Sequence, residues 1–166
     1  RLVFNFLFTE IVMTNHIFHP SILRAYDIRG IFDETLNVAD AWSIGISFAK
    51  CLEKRGHENH VVVGRDGRLS SMALTTALCE GLIAGGARVS NIGCGPTPML
   101  YYASILLKSG GAIQVTGSHN PPTHNGFKMM MNGDVFFGDD IRELGMISAS
   151  GPKAKSGGSL KMEPIF

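Results

Sequence analysis

The hexapeptide Thr116-Gly-Ser-His-Asn-Pro121 directly follows a short apolar run, Gly111-Ala-Ile-Gln-Val115. This order predicts a buried strand that breaks into a turn and presents one hydroxyl, that of Ser118, at the edge of a sheet. Gly117 allows unusual backbone dihedrals or the close approach of a ligand, and the prolines that follow stiffen the far side of the turn. A serine on a rigid loop beside a histidine is a candidate nucleophile or phosphate carrier. A plain Asn-Pro turn is the alternative that the hexapeptide alone leaves equally open.

Helices and strands alternate on the amino-terminal side of this turn. Asn37 begins a predicted helix, with Asp40 in the capping-box position and apolar residues at helical spacing as far as Leu52. The elements predicted next are a strand over 60–64, a helix capped by Ser70 or Ser71 and ended by Gly85-Gly86, a strand over 88–93 and a helix over 97–107.

The same alternation continues beyond the turn. A strand over 126–131 leads into Asn132-Gly133, a strong hairpin signal, and then into the apolar residues 135–137. A last helix is predicted over 140–148. Such an order implies an α/β fold, a three-layer α/β/α sandwich with a mixed, mostly parallel sheet. The final hairpin should add antiparallel pairing at the edge of that sheet.

Composition excludes several classes of partner. The chain has 166 residues, a hydrophobic content of 45% and a net charge of +1, with no basic cluster longer than a pair. We therefore expect one folded domain and no nucleic-acid or membrane partner. No run approaches the roughly 18 apolar residues that a membrane span needs.

The three cysteines lack metal-ligand spacing. Cys51 and Cys79 fall within helical patterns, so buried reduced thiols are expected. An odd number of cysteines, with no secretory signal, favours a reducing cytoplasm.

Three further segments carry a specific resemblance. They are Leu23-Arg-Ala-Tyr-Asp-Ile-Arg-Gly30, Val63-Gly-Arg-Asp-Gly-Arg-Leu-Ser70 and Asn125-Gly-Phe-Lys128. Together with the hexapeptide, in this order and at this spacing, they resemble the amino-terminal domain of the α-D-phosphohexomutases. That family includes the bacterial phosphomannomutases and phosphoglucomutases. The resemblance runs from about Phe18 to about Gly151.

The resemblance implies a division of the chain. Residues 13–151 correspond to the catalytic-serine domain, domain I, and residues 152–166 to a linker or the start of domain II. Residues 1–12 form an extension that is translated upstream sequence, a cloning remnant, or an extra strand or helix. The domains that follow in the family lie outside the resemblance.

Similarity to this family implies that Ser118 carries a phosphoryl group as phosphoserine. The group moves between the C1 and C6 positions of mannose or glucose phosphates through a bisphosphate intermediate. Phosphoserine bears almost two negative charges, so cations are expected nearby. Arg29 and Lys128 occupy the matching positions, and Lys128 is the candidate general acid or base for the sugar hydroxyl. Read without the resemblance, both are ordinary surface cations paired with carboxylates.

Other residues match supporting positions in the family. Tyr26 lines the substrate cleft, and His119 is expected to hydrogen-bond the phosphate or the sugar. Asn120 either contacts the substrate or orients the turn through its amide. A Ser-His dyad is disfavoured because adjacent side chains on an extended chain point to opposite sides.

The motifs are expected to meet in space. They lie on loops at the ends of strands, so Ser118, Arg29 and Lys128 should converge at the carboxyl edge of one sheet. Asp66 and Arg68 are expected to form an ion-paired loop that braces the serine turn.

The family's Mg²⁺ binds three aspartates of an Asp-Gly-Asp-x-Asp loop and an oxygen of the phosphoserine. This sequence lacks that loop, and its pair Asp139-Asp140 is predicted to begin a helix. Ser118 would thus be the one metal ligand, through its phosphate. The complete enzyme implies Mg²⁺, a hexose 1,6-bisphosphate activator, a phosphorylated hexose as substrate, and domains II–IV in the same or a second chain. The alternative is a catalytically incompetent remnant or one half of a split enzyme.

Overall fold

A computed structural model describes residues 15–165 of the chain, so the extension predicted for residues 1–12 lies outside the described residues. The elements are, in chain order, β1 (Ile28–Ile31), α1 (Val38–Lys54), β2 (His60–Arg65), α2 (Leu69–Ala84), β3 (Arg88–Cys94), α3 (Thr97–Leu106), β4 (Gly111–Val115), β5 (His124–Met131), β6 (Asp134–Val135), α4 (Asp139–Ala149) and β7 (Ser159–Met162).

All seven strands form one mixed sheet in the order β1-β5-β4-β2-β3-β7, with β6 paired to β5. Strands β4, β2, β3 and β7 are mutually parallel, whereas β5 runs antiparallel to β4, β1 and β6. The predicted α/β class and the mixed sheet are confirmed. The hairpin does supply antiparallel pairing, but it does not form the edge, because β1, a strand that was not predicted, pairs along the free side of β5.

Helices cover the two faces of the sheet unequally. Side chains of α1, α2 and α4 share one core with Ile113 and Val115 of β4 and with Phe127 of β5. On the opposite face α3 packs against β2 and β4, over a smaller core that includes Val62 and Ala112. The β1–β5 end of that second face is where an open cleft forms.

The start of α2 differs from its prediction. The capping box at Asn37 and Asp40 is confirmed, but α2 begins at Leu69 and has Arg68 at its N-cap, without a side-chain cap. The two serines that were predicted as caps are occupied elsewhere. Ser71 Oγ donates to Asp66 over 2.5 Å, and Ser70 Oγ accepts from Asn125 over 2.8 Å.

The carboxyl-terminal segment joins the sheet. Residues 151–158 contain no helix or strand, as a linker would, but Ser159–Met162 then pair in parallel with β3. The division into a domain ending at residue 151 and a following linker stays a prediction.

Candidate active site

The alternation of side chains along β1 and β5 places two cations on one face of the sheet. Arg29 lies opposite Gly126 in the register, and Lys128 lies opposite Gln114. Their neighbours Ile28 and Phe127 belong to the core beneath α1 and α2. Because successive side chains point to opposite faces, Arg29 and Lys128 point to the face that α3 only partly covers.

An open cleft of about 480 Å³ lies on this face, between β1, β5 and the serine turn. The six residues predicted as site residues all line it: Tyr26, Arg29, Ser118, His119, Asn120 and Lys128. The expected convergence of Ser118, Arg29 and Lys128 is therefore found. Its expected cause was wrong, because Arg29 and Lys128 lie within strands rather than on loops at their ends.

Ser118 has an unusual backbone. Its φ is +52°, in the left-handed region that a serine seldom adopts and that costs about 1–3 kcal/mol. The N–H of Ser118 donates to Thr116 Oγ1 over 2.9 Å, and its carbonyl accepts from Arg68 Nη2 over 3.1 Å. Its hydroxyl, by contrast, has no hydrogen-bond partner within residues 15–165. The backbone of this serine is held while its nucleophilic oxygen is left available.

Arg68 leaves no room for a side chain at position 117, which is a glycine. A Cβ atom at this position would lie 2.1 Å from Arg68 Cζ, so the guanidinium occupies the space of a side chain. The carbonyl of Gly117 accepts hydrogen bonds from Arg29 Nη1 over 2.5 Å and from the Asn120 amide over 3.1 Å. Asn120 thus orients the turn, which was one of its two expected roles.

The two cations of the cleft differ in their pairing. Arg29 is buried, and its Nε and Nη2 donate to Asp27 Oδ2 over 3.1 and 2.5 Å. With the bond to Gly117, three of the five N–H groups of a guanidinium are used. Lys128 is half-buried and has no ion pair with any described residue. The pairing expected of ordinary surface cations holds for Arg29 and not for Lys128.

The remaining cleft residues are more exposed. Tyr26 is 77% exposed and stacks on Phe137, with 6.2 Å between ring centroids. His119 is exposed beside Ser118. The reason given against a Ser-His dyad was wrong, because both residues sit on a turn and line the same cleft. No hydrogen bond joins their side chains within the described residues.

Asp66 and Arg68 brace the serine turn, as predicted. Arg68 donates to the carbonyl oxygens of three turn residues, Ser118 and Asn120 through Nη2 and Pro121 through Nη1, and also through Nη1 to that of His124 at the start of β5. Partial burial raises the pKa of Asp66, but hydrogen bonds from Ser71, Arg68, Gly117 and Thr116 outweigh it. The pKa of Asp66 is therefore below its ordinary value, and the carboxylate stays charged.

Thr116 was not singled out from the sequence. Its hydroxyl accepts from the N–H two residues ahead, at Ser118, and donates to Asp66 Oδ2 over 2.9 Å. A threonine hydroxyl that bonds the backbone two residues on is a known turn pattern. That pattern is the sequence signal by which Thr116 could have been predicted to contact the turn.

Other reactive groups of the described chain lie away from this chemistry. Burial is the main cause that raises the pKa of Cys51 and of Cys79 to about 12, so both are unreactive buried thiols, as expected. Within residues 15–165 no cluster of three or more His, Cys, Asp or Glu side chains is able to hold a metal ion. None of the helices described is both long enough and apolar enough to cross a membrane.

An accessible serine and two cations, Arg29 and Lys128, thus share one cleft of an α/β/α domain. The chain belongs to the phosphoglucomutase/phosphomannomutase family, and residues 20–151 match its alpha/beta/alpha domain I.

Known proteins resemble this chain in both sequence and structure. The phosphomannomutase/phosphoglucomutase of Pseudomonas aeruginosa is 45% identical over 124 residues, which is 75% of this chain and 27% of that protein. A phosphoglucomutase of Neisseria gonorrhoeae is 45% identical over 123 residues, or 74% of this chain and 26% of that protein. A crystal structure of a phosphoglucomutase/phosphomannomutase family protein from Burkholderia thailandensis matches with a TM-score of 0.84 and 39% identity, covering 90% of this chain and 34% of that one. The chain thus spans about a quarter of the length of the curated relatives it matches.

Proposed function

We propose that this protein is the catalytic-serine domain of a phosphohexomutase, which interconverts the 1-phosphate and 6-phosphate of mannose or glucose. The observation that carries the proposal is the Ser118 hydroxyl on a strained turn, in the same cleft as Arg29 and Lys128. Among residues 15–165 this hydroxyl has no hydrogen-bond partner and Lys128 has no ion pair. The names of the matched relatives support this substrate class.

In the proposed reaction the phosphoryl group moves from phosphorylated Ser118 to a hydroxyl of the sugar phosphate. The bond between phosphorus and Ser118 Oγ breaks as the bond to the sugar oxygen forms. Charged Lys128 donates a proton to the released serine oxygen and takes up the proton that the sugar hydroxyl loses. The sugar bisphosphate then reorients, and the reverse transfer from its other phosphate restores phosphoserine. A hexose 1,6-bisphosphate acts as activator by loading the serine.

The two cations have different proposed tasks. Arg29 is fixed by Asp27 and holds the carbonyl of Gly117, so it sets the position of the turn beneath the phosphoryl group. Lys128 has no ion pair with a carboxylate of residues 15–165, so its charge is available to an incoming anion. His119, Asn120 and Tyr26 line the cleft beside them and are proposed to contact the phosphate or the sugar.

Residues 15–165 do not make a magnesium site by themselves. Mg²⁺ prefers about six oxygen ligands. The carboxylate of Asp27 in the cleft is paired with Arg29, and that of Asp66 accepts five hydrogen bonds. We propose that the chain offers Mg²⁺ one phosphate oxygen of phosphorylated Ser118. When bound, the ion neutralises negative charge on the phosphoryl group.

The remaining ligands are proposed to come from domains II–IV, in the same or a second chain. The matched relatives are about four times as long as the matched segment, which supports residues 13–151 as domain I and residues 152–166 as the lead into domain II. Tyr101, Ile105 and Leu106 on α3 are exposed apolar side chains that suit packing against such domains. The isolated chain is therefore expected to lack appreciable turnover. The buried reduced thiols favour the cytoplasm as its location.

A coupled assay tests this proposal. Purified chain, free of host mutase, is assayed with glucose 1-phosphate, Mg²⁺ and glucose 1,6-bisphosphate, both alone and with the complementary domains. Turnover should appear only in the mixture and should disappear with Ser118→Ala. Robust Mg²⁺-dependent turnover by the chain alone would contradict the proposed incompleteness. Absence of turnover in both would favour the catalytically incompetent remnant.

A further inference from the structure

One carboxylate oxygen, Asp66 Oδ2, is connected to both sides of the Ser118 backbone. On the amide side, Thr116 Oγ1 donates to Asp66 Oδ2 over 2.9 Å and accepts from the N–H of Ser118 over 2.9 Å. A threonine hydroxyl has a single proton. Because that proton goes to the carboxylate, the oxygen of Thr116 is left to accept from the N–H of Ser118. The charge on Asp66 thus sets the direction of both hydrogen bonds in this relay from Ser118 through Thr116 to Asp66.

The carbonyl side is held through Arg68. Its Nε donates to Asp66 Oδ2 over 3.2 Å, and its Nη2 donates to the Ser118 carbonyl over 3.1 Å. The same oxygen of Asp66 also accepts the N–H of Gly117 over 3.0 Å. Three donors therefore meet at one oxygen, and each leads directly to the serine turn.

We propose that Asp66 is a positioning residue for phosphoryl transfer, which holds Ser118 in its left-handed conformation through Thr116 and Arg68. This inference rests on the proposed function of Ser118. Asp66 is absent from the residues that line the cleft, so it acts on the reaction only through the turn. A serine does not favour φ of +52° by itself. The hydrogen bonds through Thr116 and Arg68 therefore hold this conformation and keep Ser118 Oγ in the cleft.

A role in positioning makes a different kinetic prediction from a role in binding. Small displacements of a reacting atom cost rate far more than they cost affinity. Breaking the relay should therefore lower kcat and leave KM nearly unchanged. A role that was merely structural would lower the amount of folded protein without this split.

Thr116→Val is the sharpest variant, because it removes the hydroxyl and keeps the side-chain shape. Its matched control is Thr75→Val, at a buried threonine of α2 whose hydroxyl has no hydrogen-bond partner among the described residues. Thr116→Ser restores the hydroxyl, and Asp66→Asn removes the charge that orients the relay.

The first measurement uses the 166-residue chain and amide hydrogen exchange followed by NMR. Thr116→Val should speed exchange at the Ser118 amide by about tenfold or more, while amides of α1 and β2 keep their protection. Asp66→Asn should speed hydrogen exchange at the amides of both Gly117 and Ser118. Unchanged exchange at Ser118 would overturn the proposal, and so would loss of protection throughout α1 and β2.

The second measurement uses the chain completed with the remaining domains. Thr116→Val should lower kcat by about tenfold to a hundredfold with KM within about twofold, Thr116→Ser should recover most of it, and Thr75→Val should match the parent. A fall confined to KM, or no rescue by serine, would overturn the proposal. Absence of turnover in the parent would count against the proposed function instead, and hydrogen exchange would still decide the role of Asp66.

Discussion

Four residues other than glycine adopt a left-handed conformation within residues 15–165, and two of them, Asn132 and Ser118, reach it by opposite means. Asn132 in the β5–β6 hairpin has a φ of +51°, and Ser118 in the serine turn has a φ of +52°. Asparagine tolerates that conformation and is followed by Gly133, so the hairpin follows from local chemistry. Serine has no such preference, and its conformation is imposed by Asp66, Arg68 and Thr116.

The difference separates a turn that the chain makes by itself from one that the fold has to hold. The hairpin residue is exposed on a two-residue loop. Arg68 reaches the serine turn from about fifty residues away in sequence, and it contacts three carbonyl groups of the turn and that of His124 at the start of β5. Strain that is maintained by distant contacts is typical of functional sites.

The largest expected effect comes from adding one methyl group to each turn. In Gly117→Ala the new Cβ would meet the guanidinium of Arg68. Displacing Arg68 breaks several hydrogen bonds of about 1 kcal/mol each, so unfolding should become easier by about 3 kcal/mol. Gly133→Ala meets nothing within 4 Å and should cost only about 1 kcal/mol, for its positive φ.

Urea denaturation of the two alanine variants measures this contrast. Equal losses of unfolding free energy would mean that Arg68 moves aside without losing stabilising hydrogen bonds. The serine turn would then depend on distant contacts no more than the hairpin does.

A smaller effect of opposite sign is expected when strain is relieved. Ser118→Gly removes the side chain that disfavours φ of +52° and should stabilise the chain by about 1 kcal/mol, while mutase activity of the completed enzyme is lost. Asn132→Gly should change stability by less than about 0.5 kcal/mol, because asparagine tolerates this region. Thermal and urea unfolding of both variants test the pair, and a destabilised Ser118→Gly variant would show that the serine is not strained.

The smallest effect concerns pH. The pKa of Asp66 lies below its ordinary value of 3.8 in the folded chain. Its contribution to stability is therefore fully present above that value and is lost as pH falls through the lower folded pKa. The difference in unfolding free energy between the parent and Asp66→Asn should be constant from about pH 5 to 7 and should shrink below about pH 4.

Urea titrations across this range measure that difference. A gap that widens as pH falls would contradict the lowered pKa of Asp66. No such dependence is expected of the hairpin turn.

The contrast between the turns also explains which features the sequence predicted. The capping box of α1, the Asn132-Gly133 hairpin and the end of α2 at Gly85-Gly86 follow from neighbouring residues, and all are confirmed. Strand β1 was missed because it has four residues, and its partner β5 begins almost a hundred residues later. The start of α2 was misplaced because its serines bond to distant side chains instead of capping the helix.

The sequence predicted that Ser118, Arg29 and Lys128 lie close together, but it did not predict how the fold brings them there. Motif resemblance named Ser118, Arg29 and Lys128, but it did not indicate that the cations lie on a sheet face. Nor did it indicate that Arg29 has an ion pair with Asp27 while Lys128 has none among the described residues. Those facts depend on strand register and on ion pairs, which a local pattern does not encode. Thr116 had a local signal, yet its importance depends on Asp66, fifty residues away.

We propose above all that Ser118, which the fold holds in its turn, accepts the phosphoryl group. The most direct test is peptide mapping by mass spectrometry, after the completed enzyme has been incubated with glucose 1,6-bisphosphate. One phosphoryl group is expected on the peptide that contains Ser118, and none in Ser118→Ala. Phosphate on another serine, or phosphate that survives in Ser118→Ala, would contradict it.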